Sequence, residues 1–159
     1  MEKSEHTATA RGSNIGISTK FTVEVAKFIK GKNVEKAKTL LEEVIQKKTA
    51  VPFTRFTFDL GHKRGSVGPG RYPVKAAEEI LALLRSAEMN AGNKGLDMNN
   101  LYVASAIASK GNTQMRPGRH RGRHAKRTHF VITLAEKEIK KTDKKEQKKN
   151  VVKKETKTK

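Results

Sequence analysis

The sequence predicts an α+β fold in which three helices pack on a small antiparallel sheet and a long β-hairpin protrudes from it. Three observations carry this prediction. Three stretches repeat apolar residues at helical spacing, two later stretches alternate at period two, and the segment joining those two is too long and too basic for an ordinary turn.

Residues 1–13 are polar and aperiodic and read as a flexible N-terminal arm, followed by a short candidate strand at Asn14–Ile17. Phe21, Val25, Phe28 and Ile29 then lie on one helical face, with Ser18 or Thr19 as N-cap and Gly31 as the left-handed stop. Asn33 caps a second helix whose stripe is Val34, Ala37, Leu40, Leu41, Val44 and Ile45, with Glu35, Lys36, Lys38, Glu42 and Glu43 facing water. Only Gly31, Lys32 and Asn33 separate the two helices, which implies a tight corner. A DNA-reading helix-turn-helix is the sharper reading of that corner. The Glu residues of the second helix, and its lack of an Arg, Asn or Gln row for base edges, count against it.

Between Ala50 and Tyr72 a short extended piece around Phe53–Phe58 leads into a loop containing Gly61, Gly65, Gly68 and Gly70. With His62, Lys63, Arg64 and Arg71 nearby, backbone amides there can approach phosphates; a plain surface connector fits the local sequence equally well. Pro73 opens a third helix with Val74, Ala77, Ile80, Leu81, Leu84, Ala87 and Ala91 on its apolar face, ending near Gly92–Gly95. Leu101, Val103, Ser105 and Ile107 form one face of a strand, and Thr128, Phe130, Ile132 and Leu134 one face of another.

The joining segment Lys110–Lys126 is 17 residues long, against the usual 2–5 or so of a hairpin loop. If its flanks continue the ladder, about eight residues per side project on the order of 25 Å. Residues 14–134 thus read as a single domain, its extended hairpin spanning about 101–134, with a Lys-rich tail at 135–159. That tail carries 11 Lys and five acids with few apolar residues, a composition that is disordered alone or docks on a polyanion.

Charge narrows the function. The 159 residues include 35 Lys or Arg and 16 Asp or Glu, a net charge of +19. Residues 110–134 carry Lys110, Arg116, Arg119, Arg121, Arg123, Lys126 and Arg127 and no carboxylate. Arg forks grip phosphate oxygens bidentately, and the interleaved Gly, Pro and His of Met115–Arg127 let the backbone pass close to a crowded surface. Aromatic content is only 5%, with no Trp, so stacking platforms for exposed bases are not visible and recognition of folded RNA by shape and backbone is favoured.

Enzymatic readings fare poorly. No Cys is present, which excludes disulfides, thiolate metal sites and thiol nucleophiles. His120, His124 and His129 lie among cations with no nearby carboxylate, so they read as donors or stacking groups beside phosphate instead of metal ligands. No paired carboxylates, nucleophile elbow or Walker loop occurs, and no cofactor or small-molecule substrate is expected. Neither a spanning segment nor a secretory signal is visible, so the expected setting is the cytoplasm, with no membrane partner.

Longer motifs carry a resemblance. Ser18–Thr22, Lys30–Ala37, Pro73–Ala77, Ser86–Ala91, Lys94–Val103 and Met115–Ile132 occur in the order that resembles the large-subunit ribosomal protein family called L twenty-two in bacteria and L seventeen in eukaryotes. The insertion with Val51–Phe56, Gly61–Gly65 and Gly70–Pro73 resembles its archaeal and eukaryotic branch. The Phe-rich Thr54–Leu60 and the tail after Ala135 depart from that pattern.

The resemblance implies a structural constituent of the large ribosomal subunit, not an enzyme, that binds and helps assemble large-subunit rRNA beside neighbouring ribosomal proteins. By carry-over, Lys20, Lys30, Lys32, Lys63, Arg64 and Arg71 contact RNA around the body. Lys110, Arg116, Arg119, His120, Arg121, Arg123, His124, Lys126, Arg127 and His129 do so along the hairpin. Its tip, Met115, Arg116, Pro117, Gly118, Arg119, His120, Arg121, Gly122, Arg123 and His124, faces the nascent peptide in the exit tunnel. The alternative is a basic DNA-packaging or transcription-associated protein.

Overall fold

A computed structural model of the chain describes residues 6–137. The three apolar stripes form helices α1 (Thr19–Ile29), α2 (Val34–Ile45) and α3 (Val74–Asn93). Each buries the face its spacing predicts: Val25 and Ile29 on α1, Val34, Ala37, Leu41 and Val44 on α2, and Ala77, Ile80, Leu81, Leu84, Ala87 and Ala91 on α3. Gly31 takes φ +78°, and its N–H donates to the Val103 carbonyl at 2.8 Å, so the α1–α2 corner is docked on the sheet.

That sheet has three antiparallel strands in the order β1–β6–β5. Here β1 is Thr7–Ile15, β5 Leu101–Lys110 and β6 Thr128–Glu136. Its inner face packs Ala8, Ala10, Leu101, Val103, Phe130, Ile132 and Leu134 against the helices. A smaller sheet, ordered β2–β4–β3, joins Val51–Pro52 (β2), His62–Lys63 (β3) and Gly68–Arg71 (β4).

Three sequence expectations are corrected. Residues 7–13 belong to β1 instead of a flexible arm: Ala8, Ala10 and Gly12 pair with Leu134, Ile132 and Phe130. Thr and Ala alternate there, and small side chains suffice because α3 lies close; a Cβ on Gly12 would stand 2.9 Å from Leu83 Cδ1. Simple alternation puts Ile107 on one face with Val103, yet Ile107 is 61% exposed. Val103 pairs with Leu134 and Ser105 with Thr133, so Ala104 is a bulge that reverses the phase, and Ala106 and Ala108 turn inward instead. The glycine-rich loop is part strand, since β4 contains Gly68 and Gly70. A Cβ on Gly70 would meet the Val51 carbonyl at 3.0 Å. The tail expected from residue 135 lies outside the described residues beyond Lys137.

Candidate nucleic-acid interface

The hairpin ladder closes at Lys110 opposite Thr128, and the segment beyond keeps pairing sparsely. Gly111 N–H donates to the Arg127 carbonyl, Ala125 N–H to Gln114 and Arg116 N–H to Arg123, at 2.9, 2.7 and 3.0 Å. A 3-10 turn at Gly118–His120, with Gly118 at φ +67°, reverses the chain at the tip. Lys110, Arg116, Arg119, His120, Arg121, Arg123, His124 and Lys126 are exposed, whereas Arg127 and His129 are half-buried. Arg116, Arg119, Arg121 and Arg123 therefore occupy a narrow paired arm without an ion pair among the described residues, a dense positive field in water.

Asn14 secures the base of this arm. It sits at φ +53° where β1 loses register with β6, and it serves three partners. Its carbonyl accepts Arg127 Nη1 at 3.2 Å, its Oδ1 accepts Asn112 N–H at 3.3 Å, and its N–H donates to His129 Nδ1 at 3.2 Å. Gly111 leaves room for this contact, because a Cβ there would lie 2.8 Å from Asn14 Oδ1 and 3.1 Å from the Arg127 carbonyl carbon.

The body cations gather into separate clefts around α1. Lys20 and Arg71 join Arg55 in a cleft of about 370 Å³ lined by Phe21, Phe56 and Phe58. Lys30 and Lys32 join Lys27 beside Phe28 and Thr54 in another. Lys126, at the arm base, lines a third with Lys75. Four of these cations, and Lys63 as well, lie over rings: Lys20 and Arg55 at 5.7 and 5.5 Å from the Phe56 centroid, Arg71 at 5.6 Å from Phe21, Lys32 at 5.0 Å from Phe28 and Lys63 at 5.3 Å from Tyr72. Arg64 stands apart in the turn between β3 and β4.

One carboxylate organises the first two clefts. Glu24 is 1% exposed, and its oxygens accept the N–H groups of Thr54, Arg55 and Phe56 at 3.1, 2.8 and 3.0 Å together with the Thr54 hydroxyl at 3.3 Å. Burial pushes its pKa up, but the hydrogen bonds outweigh burial and hold it below the ordinary glutamate value. Lys27 Nζ reaches the same Thr54 hydroxyl at 2.7 Å. The Glu24 charge is thus satisfied by the backbone of the insertion, and Lys20, Arg55 and Arg71, which lie over rings, form no ion pair among the described residues.

The exposed side of α2 bears Glu35 and Glu42 among its cations. Lys38 is tied to Glu88 of α3, and Arg85 to Glu42 at 3.3 Å, so this surface is neutralised from within. Among the described residues, no group of three His, Asp or Glu comes together, and no helix is long and apolar enough to cross a membrane. Sequence reasoning missed Asn14, Glu24, Arg55 and Lys75. Only Asn14 carried a signal, as a residue type that tolerates positive φ next to an alternating Thr–Ala run.

Comparison with known proteins adds an independent line. Residues 10–135 match the family model described as ribosomal protein L22p/L17e. The chain is 44% identical over 132 residues to the large ribosomal subunit protein uL22 of Methanococcoides burtonii, covering 82% of this chain and 87% of that one. It is 41% identical over 139 residues to the protein of that name from Methanosphaera stadtmanae, covering 83% and 90%. Against its Thermofilum pendens counterpart, identity is 44% over 107 residues, covering 67% and 71%.

Proposed function

The chain belongs to the ribosomal protein L22p/L17e family, in its archaeal-type branch, and from that premise we propose that it binds large-subunit rRNA and lines the nascent-peptide exit tunnel with its hairpin. As a member of a structural, non-enzymatic family it is a constituent of the large ribosomal subunit. The observation that carries the finer reading is the arm, where seven cations and no carboxylate occupy residues 110–134 of a hairpin held at its base by Asn14.

The mechanism is neutralisation and cross-linking. Cations on a narrow arm enter between RNA segments that repel one another, release condensed counterions and hold the segments in register. Lys20, Lys30, Lys32, Lys63, Arg64 and Arg71 grip RNA around the body. Lys110, Arg116, Arg119, His120, Arg121, Arg123, His124, Lys126, Arg127 and His129 do so along the arm. The tip, Met115–His124, meets the nascent peptide, and neighbouring large-subunit proteins lie alongside.

Gradient sedimentation of the tagged protein from lysate, with RNA crosslinks mapped by residue, tests this. Co-migration with large subunits and crosslinks through Arg116–Arg127 are the expected result. Retention at the top of the gradient, or migration with chromatin, overturns it in favour of a DNA-associated protein.

A further inference from the structure

The insertion carries a feature that charge neutralisation does not use. Phe58 is 88% exposed and makes no ring contact among the described residues, while Phe21 and Phe56 form the wall beside it. Lys20, Arg55 and Arg71 line the same cleft, and no carboxylate does. The loop beneath is fixed in advance, because Glu24 holds three consecutive backbone N–H groups at Thr54–Phe56. A flat apolar face, three cations held over ring faces with no carboxylate beside them, and a preorganised backbone suit one chemistry: a planar aromatic ring attached to phosphates.

We propose that this cleft takes a single unpaired nucleotide of RNA, its base stacked on Phe58 and its flanking phosphates held by Lys20, Arg55 and Arg71. The inference rests on the RNA-binding reading above and adds a stacking platform that the low aromatic content hid. A duplex offers phosphates to these cations but no free base face, so an extruded base is the better occupant.

The test uses the full chain and two RNA hairpins that differ only in one bulged purine, with affinities measured at low and moderate salt. Wild type is expected to prefer the bulged hairpin by roughly 5- to 140-fold, the range for one stacked base. UV crosslinking should join the bulged nucleotide to the Arg55–Phe58 segment. Phe58→Ala, at an exposed position, should abolish both preference and crosslink while leaving affinity for the unbulged hairpin unchanged, and Phe58→Trp should restore the preference. Equal affinity of wild type for the two hairpins, or a preference that survives Phe58→Ala, overturns the inference and leaves the cleft to an acidic protein segment. Absence of salt-sensitive binding to either hairpin instead overturns the RNA-binding reading itself.

Discussion

The Glu24 carboxylate accepts the backbone N–H of Arg55 at 2.8 Å, joining the buried face of α1 to the insertion. Glu24→Ala leaves the N–H groups of Thr54, Arg55 and Phe56 without their acceptor inside the protein. The expected loss is about 2–4 kcal/mol, read as a lower denaturant midpoint at unchanged slope. Glu24→Gln should lose nearly as much, since its NH2 would face donors. A midpoint unchanged by both substitutions would show that the insertion is held by other contacts.

The same carboxylate sets a pH dependence. Its native pKa lies below the ordinary value of 4.5, so across that window the unfolded chain binds the proton more readily than the folded one. The stabilisation is complete above about pH 4.5 and is lost as pH falls through the lowered native pKa. Urea unfolding of wild type and Glu24→Gln at falling pH should show their stability difference shrinking in acid. A difference that stays constant would mean that folding does not lower the pKa of this carboxyl.

At the arm base, Gly111→Ala puts a methyl carbon 2.8 Å from Asn14 Oδ1 and against the Arg127 backbone. Because backbone cannot yield as a flexible side chain does, the expected cost is about 1–3 kcal/mol, with faster amide exchange through 112–127. Asn14→Gly keeps the positive φ and loses only the Oδ1 acceptor, so it should cost about 1 kcal/mol. A Gly111→Ala variant as stable as the wild type would refute the close approach.

Helices were legible because period 3.6 survives wherever one face is buried: most of each predicted stripe is buried, while Phe21, Phe28, Leu40, Ile45 and Val74 are half-buried at its margins. The two hairpin strands were legible from alternation, but the phase beyond Val103 was not, since one bulged Ala104 leaves no trace in composition. β1 was hidden because Ala and Thr fit many conformations, and only the closeness of α3 makes them the right size. The cationic arm was readable because charge is visible in sequence. Glu24 was not: the N–H groups that donate to it lie 30 to 32 residues away, and an acid on a helix reads as solvated until the fold brings a loop over it.

The hidden strand gives a direct prediction. Deleting residues 1–13 removes Ala8 and Ala10 from the core and uncovers the β6 edge along Phe130, Ile132 and Leu134. It also removes the Thr9 and Thr7 carbonyls that Asn90 Nδ2 and Lys94 Nζ reach at 3.0 and 2.9 Å. A flexible arm would be dispensable, whereas loss of an edge strand should lower the thermal midpoint by more than about 10 °C or leave the protein aggregated. Calorimetry of the truncated and full chains decides between the two.

The arm should govern how binding responds to salt. Each phosphate neutralised contributes about 0.7–0.9 to the slope of log affinity against log salt, so Arg119→Ala, Arg121→Ala and Arg123→Ala together should flatten it by about 2. All three side chains are exposed at the tip and form no ion pair among the described residues, so the thermal midpoint should not move. Lys30→Ala with Lys32→Ala provides the comparison: two cations are removed, Lys32 already lies over Phe28, and the slope should change by less. Titrations of a structured large-subunit RNA fragment at several salt concentrations measure this. If the triple substitution lowers affinity equally at all salt concentrations, the arm acts through shape instead of charge, and counterion release cannot be its mechanism.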